Sequence, residues 1–441
     1  MGRVSTSLFR RKDMYAAGAA VALFAVAAAV GHHLENRDGT LRLRWPPLYA
    51  YWEPHVGPGT PAALVVAALV VVYGPTAARR LGWRRLLWAS WGVSAAWIWS
   101  LALIDGWYRG VTRRLTTKYE YLQSVPEVQD VGATLREFSG RILMDAPDNW
   151  PAHVAGHPPG ALLTFVGLDR IGLGGGAWAA VLCVTVGASA ATAVLVAVRA
   201  LADEHTARVA APFLVLAPAA VWIGVSADGY FAGVSAWAVA LLALAATRRA
   251  RLPWLAGLGS GVLFGWTMYL SYGLGLLAVV AVAVLVAART WRPVPWVVLG
   301  ALPWVVAFTV AGFWWYEGYT TLVERYYQGA AGVRPYAYYV WANLAAQVVV
   351  VGLATVAGLR RAAGREVRRS GLVLLVAGGL LAMLVANLSG MSKAETERIW
   401  LPFAIWLLPA AALLPVRDHR WWLGAQAAVA LTVNHLLVTG W

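Results

Sequence analysis

Cysteine is nearly absent from this sequence: Cys183 stands alone, inside an apolar run. One thiol excludes an intramolecular disulfide, a cysteine-cluster zinc site and a redox thiol pair, so ordered loops must be held by packing and hydrogen bonds. Lysine is almost as scarce, at three of 36 basic residues, the other 33 being arginine. With the Ala, Val and Leu richness, this bias points to a GC-rich bacterial genome. Charge as a whole is sparse. Only 13% of the 441 residues are charged while 60% are hydrophobic, a balance that excludes a soluble globular surface and indicates a membrane protein. Each crossing takes about 20 apolar residues, which leaves no room for a large soluble domain.

Long apolar runs are what the chain has in abundance. Thirteen qualify as candidate transmembrane helices: 15–32, 61–76, 86–104, 177–198, 209–226, 230–247, 254–272, 274–288, 296–314, 340–358, 371–389, 400–415 and 423–440. They predict an all-α polytopic membrane protein. The first run follows Arg10, Arg11 and Lys12 as in a signal peptide. It exceeds the ~7 to 15 apolar residues of a cleavable segment, so it reads as an uncleaved span. Cytoplasmic loops collect Arg and Lys. With the amino terminus inside, the inner segments are that terminus and Arg79 to Arg85, Arg199 to Arg208, Arg248 to Arg251, Arg289 to Arg292, Arg360 to Arg369 and Arg417 to Arg420. They hold 22 basic and 5 acidic residues, against 14 basic and 16 acidic outside. The net charge of +15 thus divides into +17 inside and −2 outside. It reports orientation in a bacterial plasma membrane, with the carboxyl terminus outside, and calls for no nucleic-acid partner.

The segment Gly160 to Gly174 is apolar enough to pass for another span, but counting it so would turn the arginine-rich loops downstream to the outside. It is placed at the outer face or as a shallow re-entrant piece, with Asp169 and Arg170 reaching water or protein partners. The outer loop then runs from Asp105 to Gly176. Within it Val128, Val131, Leu135, Phe138 and Ile142 share one helical face, while Glu127, Asp130, Glu137 and Arg141 lie elsewhere. This pattern predicts an amphipathic helix lying on the membrane. Without internal repeats or low-complexity tracts, residues 1–441 read as a single integral membrane domain.

Ionisable residues are nearly missing from the middles of the predicted spans, His435 being the main exception. A proton-coupled transporter would place such groups at the midplane, so their scarcity favours chemistry at the outer face on a lipid-borne substrate. Asp105 closes the third span in Leu103-Ile104-Asp105-Gly106-Trp107-Tyr108. A carboxylate there meets headgroup and water and can take a proton from an acceptor hydroxyl; the plain alternative is a charge marking a helix end. From Asp145 to Gly160 a proline-rich stretch carries Asp148, His153 and His157. Histidines at i and i+4 with a carboxylate would suit zinc on a helix, but the prolines argue against that helix, and contacts to a phosphate or an acceptor suit these side chains better. Outer aromatic residues (Trp314, Trp315, Tyr316, Tyr319, Tyr326, Tyr327, Tyr336, Tyr338 and Tyr339) fit an interfacial belt or a sugar-stacking platform.

The order of these features resembles a known family. An acid closing a span at the outer face comes first, then a surface helix and the turn His157-Pro158-Pro159. A juxtamembrane helix and two spans follow, before Ser226-Ala227-Asp228-Gly229-Tyr230-Phe231 opens the next span. This order is similar to the GT-C glycosyltransferases, in particular the branch of dolichyl-phosphate-mannose protein mannosyltransferases and bacterial aminoarabinose transferases. The resemblance covers Asp105 to about Ala250. It implies transfer of a sugar, with inversion, from a polyprenyl phosphate to an acceptor outside the membrane, with Asp105 as base and Asp228 as the later acid. It also implies a GT-C-like core at 86–250 with its outer loop at 105–176, preceded by an extra hairpin at 1–85 and followed by a helical bundle at 251–441. Gly106 stands where relatives often carry a second acid. The two extra spans make the 33–60 loop, with Glu35, Asp38 and Glu53, a rival location for the base.

Glycosyl transfer accounts for the remaining candidates. Asp228, His153, His157, Asp148, Tyr269 and Tyr272 are substrate contacts. Arg334, Lys393 and Arg398 are donor-phosphate ligands, with Glu395 or Glu397 holding Arg398 in place; the plain alternative is snorkelling cations at an interface. No residues are assigned to a metal, and a divalent cation is the one cofactor left open. The expected partners are membrane lipid, the polyprenyl-phosphate sugar and a glycan, lipoglycan or protein acceptor. Two rivals are a lipid-linked sugar flippase or transporter, which would show related halves, and an envelope glycan polymerase or ligase, which would use a pyrophosphate-linked donor and arginine pairs.

Overall fold

The computed structural model describes residues 2–364 and 370–440; Arg365 to Arg369, the end of one expected inner loop, lie outside the described residues. The architecture is all-helical and polytopic. Six described helices are long and apolar enough to cross a membrane: Arg11–Asp38, Thr60–Arg80, Trp83–Asp105, Gly176–Leu201, Ala227–Ala246 and Gly371–Leu388. The number is nine if each of three sharply bent helix pairs counts as one span. Thirteen is not reached by this measure, because several predicted runs are short, broken or bent. Run 209–226 is the helix Glu204–Val215 followed by the single turn Ala220–Ile223. Pro212 lies inside the first helix, and Pro218, which lacks a backbone donor and crowds the preceding turn, falls in the break between the two. Run 340–358 bends by 109° between Tyr336–Val351 and Leu353–Ala362, at Gly352 with its φ of 77°. Run 400–415 divides into the turn Leu401–Ala404 and the 3-10 helix Leu408–Leu413. Run 423–440 ends as a helix at Leu436, and Leu437–Thr439 pairs antiparallel with Ala50–Trp52, Ala50 facing Thr439. No periodicity announces that small ribbon.

Gly176–Leu201 and Ala227–Ala246 form the buried centre, and they approach because their shared face is made of small residues. A Cβ on Gly233 would sit 2.2 Å from the Val186 carbonyl oxygen, so glycine sets the separation. In lipid such close van der Waals contact is the main force joining helices.

One end of the bundle is laced by arginine. Arg208 donates to the Ala78 and Leu81 carbonyls at 2.8 and 2.7 Å, and Arg249 to that of Arg199 at 2.9 Å, each satisfying carbonyls that a helix terminus leaves open. Buried Asp13 pairs with Arg360 and with Arg361, the latter at 2.6 Å. The other end carries residues 39–59, 103–175, 389–400 and the ribbon, and every candidate acid and histidine for the chemistry lies there. In that end the predicted amphipathic segment is the helix Val131–Glu137 with the turn Ser139–Arg141. Its apolar face packs inward, Phe138 lying 5.4 Å from Trp150 and 5.6 Å from Phe313 between ring centres. Pro159–Arg170 is a helix of 12 residues, about 18 Å long and too short to cross. Arg170 finds protein partners, donating to the Gln129 carbonyl at 3.0 Å.

Candidate active site

Two ionic clusters occupy this end. The first is built on the helix Ala227–Ala246. Ser226 caps it, its Oγ accepting from the Gly229 amide at 3.0 Å, which places Asp228 in the first turn where the helix dipole favours an anion. Val225, just before, is a β-branched residue with φ of 52°, a strained conformation of the kind that functional sites retain. Arg398 comes from the turn Thr396–Ile399, entered through Ala394 and Glu395, both also left-handed at φ 76° and 62°. Its Nη1 pairs with Asp228 Oδ2, and its Nη2 lies 3.1 Å from Glu395 Oε2 and 3.2 Å from His153 Nε2. His153 Nδ1 in turn lies 2.9 Å from Glu120 Oε1. A guanidinium only donates, so His153 Nε2 accepts and Nδ1–H is directed to Glu120. The result is a buried row of carboxylate, guanidinium, imidazole and carboxylate drawn from four segments. Burial pushes the Arg398 guanidinium down, but Asp228 and Glu395 more than offset it and the net shift is upward.

Tyr121 and His157 wall this row. The Tyr121 ring lies 6.1 Å from His153 and 5.7 Å from His157, and burial together with the Asp228 and Glu120 charges raises its phenol well above the usual range. His157 Nδ1 donates to the His153 carbonyl at 2.7 Å. Burial lowers the His157 imidazole to about 4, against the pull of Asp228. Beside the row, Glu397 is fully buried and accepts from the Tyr49 amide at 2.8 Å. Burial raises its carboxyl to about 7.

The second cluster surrounds Asp105, which ends a 3-10 turn after the third helix. Its Oδ2 is 2.6 Å from Arg114 Nη2, and its Oδ1 is 3.1 Å from Arg109 Nη2. His55 Nε2 is 3.0 Å from the same Oδ1, without hydrogen-bond alignment. Arg109 reaches Glu53 at 2.6 Å, so the two rival locations for the base meet through one guanidinium. Arg114 also donates to the Thr439 carbonyl at 2.7 Å, and the Tyr49 carbonyl accepts from Gly440 at 3.0 Å. The ribbon therefore lies between the clusters, tied to Asp105 on one side and to Glu397 on the other.

No family model and no curated protein matches this sequence. Among solved structures the chain is similar to the crystal structure of the Archaeoglobus fulgidus oligosaccharyltransferase in the apo form, at 13% identity and a TM-score of 0.48, over 76% of this chain and 50% of that one. It is also similar to the same enzyme in complex with Zn and sulfate, at 14% identity and 0.43, over 79% and 51%. The chain thus spans about half the length of the structures it matches.

The candidates read from the sequence divide in three. Asp228, His153, Glu395 and Arg398 come together, with His157 against them. Asp105 belongs to the neighbouring cluster. The rest are engaged elsewhere. Asp148 is exposed and offers only its backbone carbonyl, to Arg141 at 2.6 Å. Tyr269 stacks on Phe308 with ring centres 3.9 Å apart, and Tyr272 packs against Trp315 and Tyr319. Arg334 holds the Leu41 and Lys393 carbonyls at 3.0 and 2.8 Å, and Lys393 holds that of Ala331 at 2.9 Å. These two cations brace loops. Of the two acids offered for Arg398, Glu395 holds it and Glu397 holds the Tyr49 amide. Of the outer aromatics, Tyr338 and Tyr339 are buried, their hydroxyls donating to the Ala27 and Leu41 carbonyls, while Trp314 and Tyr316 are exposed.

Sequence reasoning missed Glu120, Tyr121, His55, Arg109 and Arg114. Tyr119-Glu120-Tyr121 looks like ordinary loop sequence, and only its position beneath His153 marks it. Among the described residues no group of three or more His, Cys, Asp or Glu side chains is arranged to hold a metal. Asp228 and His153 both engage Arg398 in this arrangement.

Proposed function

We propose that this chain is a membrane-embedded inverting glycosyltransferase that moves a monosaccharide from a polyprenyl-phosphate donor to an envelope glycan, a lipoglycan or a protein outside a bacterial plasma membrane. The observation that carries the reading is the buried row Asp228, Arg398, His153 and Glu120, set at one end of a bundle whose helix interiors hold almost no charge. In that position a headgroup meets the protein while its lipid tail stays in the bilayer. The resemblance of the sequence order around Asp105 and Asp228 supports the same assignment and suggests mannose or arabinose as the sugar.

The chemistry is a single displacement. The acceptor hydroxyl oxygen attacks the anomeric carbon as the bond to the phosphate oxygen breaks, so the configuration inverts. The hydroxyl proton passes to a carboxylate base, for which the resemblance offers Asp105 in the neighbouring cluster, and the polyprenyl phosphate leaves with the electron pair. Arg398 supplies the charge complement for that phosphate by exchanging Asp228 for the phosphate oxygens, a swap between two charge-assisted hydrogen bonds. Membranes given radiolabelled polyprenyl-phosphate sugar test the roles. Asp105→Asn should lose about 10² to 10⁴-fold in transfer, while Glu53→Asn keeps it; equal activity in both variants refutes the assignment.

The arginine pair Arg109 and Arg114 around Asp105 favours a second reading, an envelope glycan polymerase or ligase with a pyrophosphate-linked donor. Two guanidiniums suit a diphosphate. Transfer from a polyprenyl-pyrophosphate sugar but not from the monophosphate would select it.

A further inference from the structure

Glu120 plays no part in the displacement described above, yet it is one of the most enclosed carboxylates in the molecule, with 4% of its surface exposed. Its Oε1 faces His153 Nδ1 at 2.9 Å, and the tautomer set by Arg398 makes that nitrogen the donor. Its other oxygen, Oε2, is buried with no hydrogen-bond partner in the protein. On the same short segment the Ser124 hydroxyl is fully buried and likewise without a partner. Buried polar atoms in folded proteins are nearly always satisfied, and an orphan carboxylate oxygen calls for a donor from outside the chain.

We infer that Glu120 is a substrate-contacting residue whose open oxygen accepts a hydrogen bond from a sugar hydroxyl. The inference rests on the glycosyltransferase reading and adds a residue to it. The ligand group must donate, because a carboxylate only accepts, and it cannot be anionic, because Glu120 and Asp228 both act on this site. A neutral hydroxyl meets both demands. Arg398, which feels the charges of both Asp228 and Glu120, takes the phosphate. A sugar phosphate carries the two groups side by side, so one donor molecule satisfies the open carboxylate and the guanidinium together. A hydroxyl of the acceptor has the same chemistry, and the kinetic arms separate the two sources.

The test uses the full-length protein in lipid nanodiscs with polyprenyl-phosphate mannose, its monodeoxy derivatives, and Glu120→Gln. The amide keeps an acceptor for His153 and removes the charge. Losing a hydrogen bond to a charged group corresponds to about 10- to 100-fold in kcat/KM. A donor hydroxyl predicts that the loss falls on donor KM, and that one monodeoxy donor is used equally by wild type and variant. An acceptor hydroxyl predicts a loss in kcat with donor KM unchanged. Glu120→Gln within twofold of wild type, or a loss on donor KM that every monodeoxy donor reproduces equally, overturns the inference. Glu120→Asp is a second variant that retracts the carboxylate by one methylene and should show the same pattern. Donor-induced thermal stabilisation is read in parallel. A shift in wild type that shrinks in Glu120→Gln supports the contact even if no transfer occurs, and that combination counts against the proposed reaction alone. Equal shifts exclude the donor hydroxyl, and equal shifts together with an unchanged kcat overturn the contact.

Discussion

The pair of Asp228 with Arg398 is the interaction on which the site depends, and a double-mutant cycle on it has a calculable outcome. The two side chains are 6% and 7% exposed, so solvent screening scarcely weakens them. Removing one member of a buried pair leaves the other charge uncompensated and costs about 3 to 5 kcal/mol. Asp228→Asn should fall at the low end, since Arg398 keeps Glu395 at 3.1 Å and His153 at 3.2 Å. Arg398→Met should fall at the high end, since Asp228 and His153 Nε2 both lose the guanidinium while Glu395 keeps Arg334 only at 3.7 Å. The double variant removes both charges, and its cost should be less than the sum by about 2 kcal/mol or more. SDS-titration unfolding in mixed micelles measures each term. Additivity to within about 0.5 kcal/mol would mean that the groups do not interact and would refute the charge row.

Other expectations are independent of that cycle. Glu397 has a folded value of about 7 against 4.5 for a free side chain, so its contribution is complete below about 4.5 and is lost as pH rises through 7. The difference is of order 3 kcal/mol. Glu397→Gln should flatten the stability profile across that window, and an unchanged slope would count against the assignment. Asp13, its side chain 2% exposed between Arg360 and Arg361, anchors the first helix; Asp13→Asn should lower the unfolding free energy by about 3 kcal/mol, read by the same titration. Gly233→Leu should prevent the central helices from closing, because its Cβ would meet the Val186 carbonyl at 2.2 Å, and expression of folded protein should collapse. Asp148→Asn should leave transfer within about twofold of wild type, as expected of an exposed surface side chain.

Much of the fold was legible because lipid imposes a simple rule. Thr60–Arg80, Gly176–Leu201 and Ala227–Ala246 lie within a few residues of the apolar runs that predicted them, since a membrane helix must satisfy its own backbone. The misreadings fall where backbone is satisfied by other means. Pro218 falls in the break of one run, Gly352 bends another, and the final residues pair with Ala50–Trp52. The site was half legible. Asp228 and His153 stood out as polar residues in punctuated sequence, but Glu120 and Arg114 did not, because nothing in the local sequence marks which loop residues the fold buries against a histidine or a carboxylate.

Composition and the distribution of arginine alone determined that this is a helical membrane protein and which end of the bundle carries the acids, because burial in hydrocarbon depends on side-chain polarity summed along a run. Tertiary structure alone decided which charges pair. Arg398 reaches back 170 positions to Asp228 and 245 to His153, whereas Arg334 and Lys393, equally plausible by type, are spent on backbone carbonyls. An ion pair needs atoms within a few ångströms, and that separation is set by how the helices pack and not by any pattern along the chain.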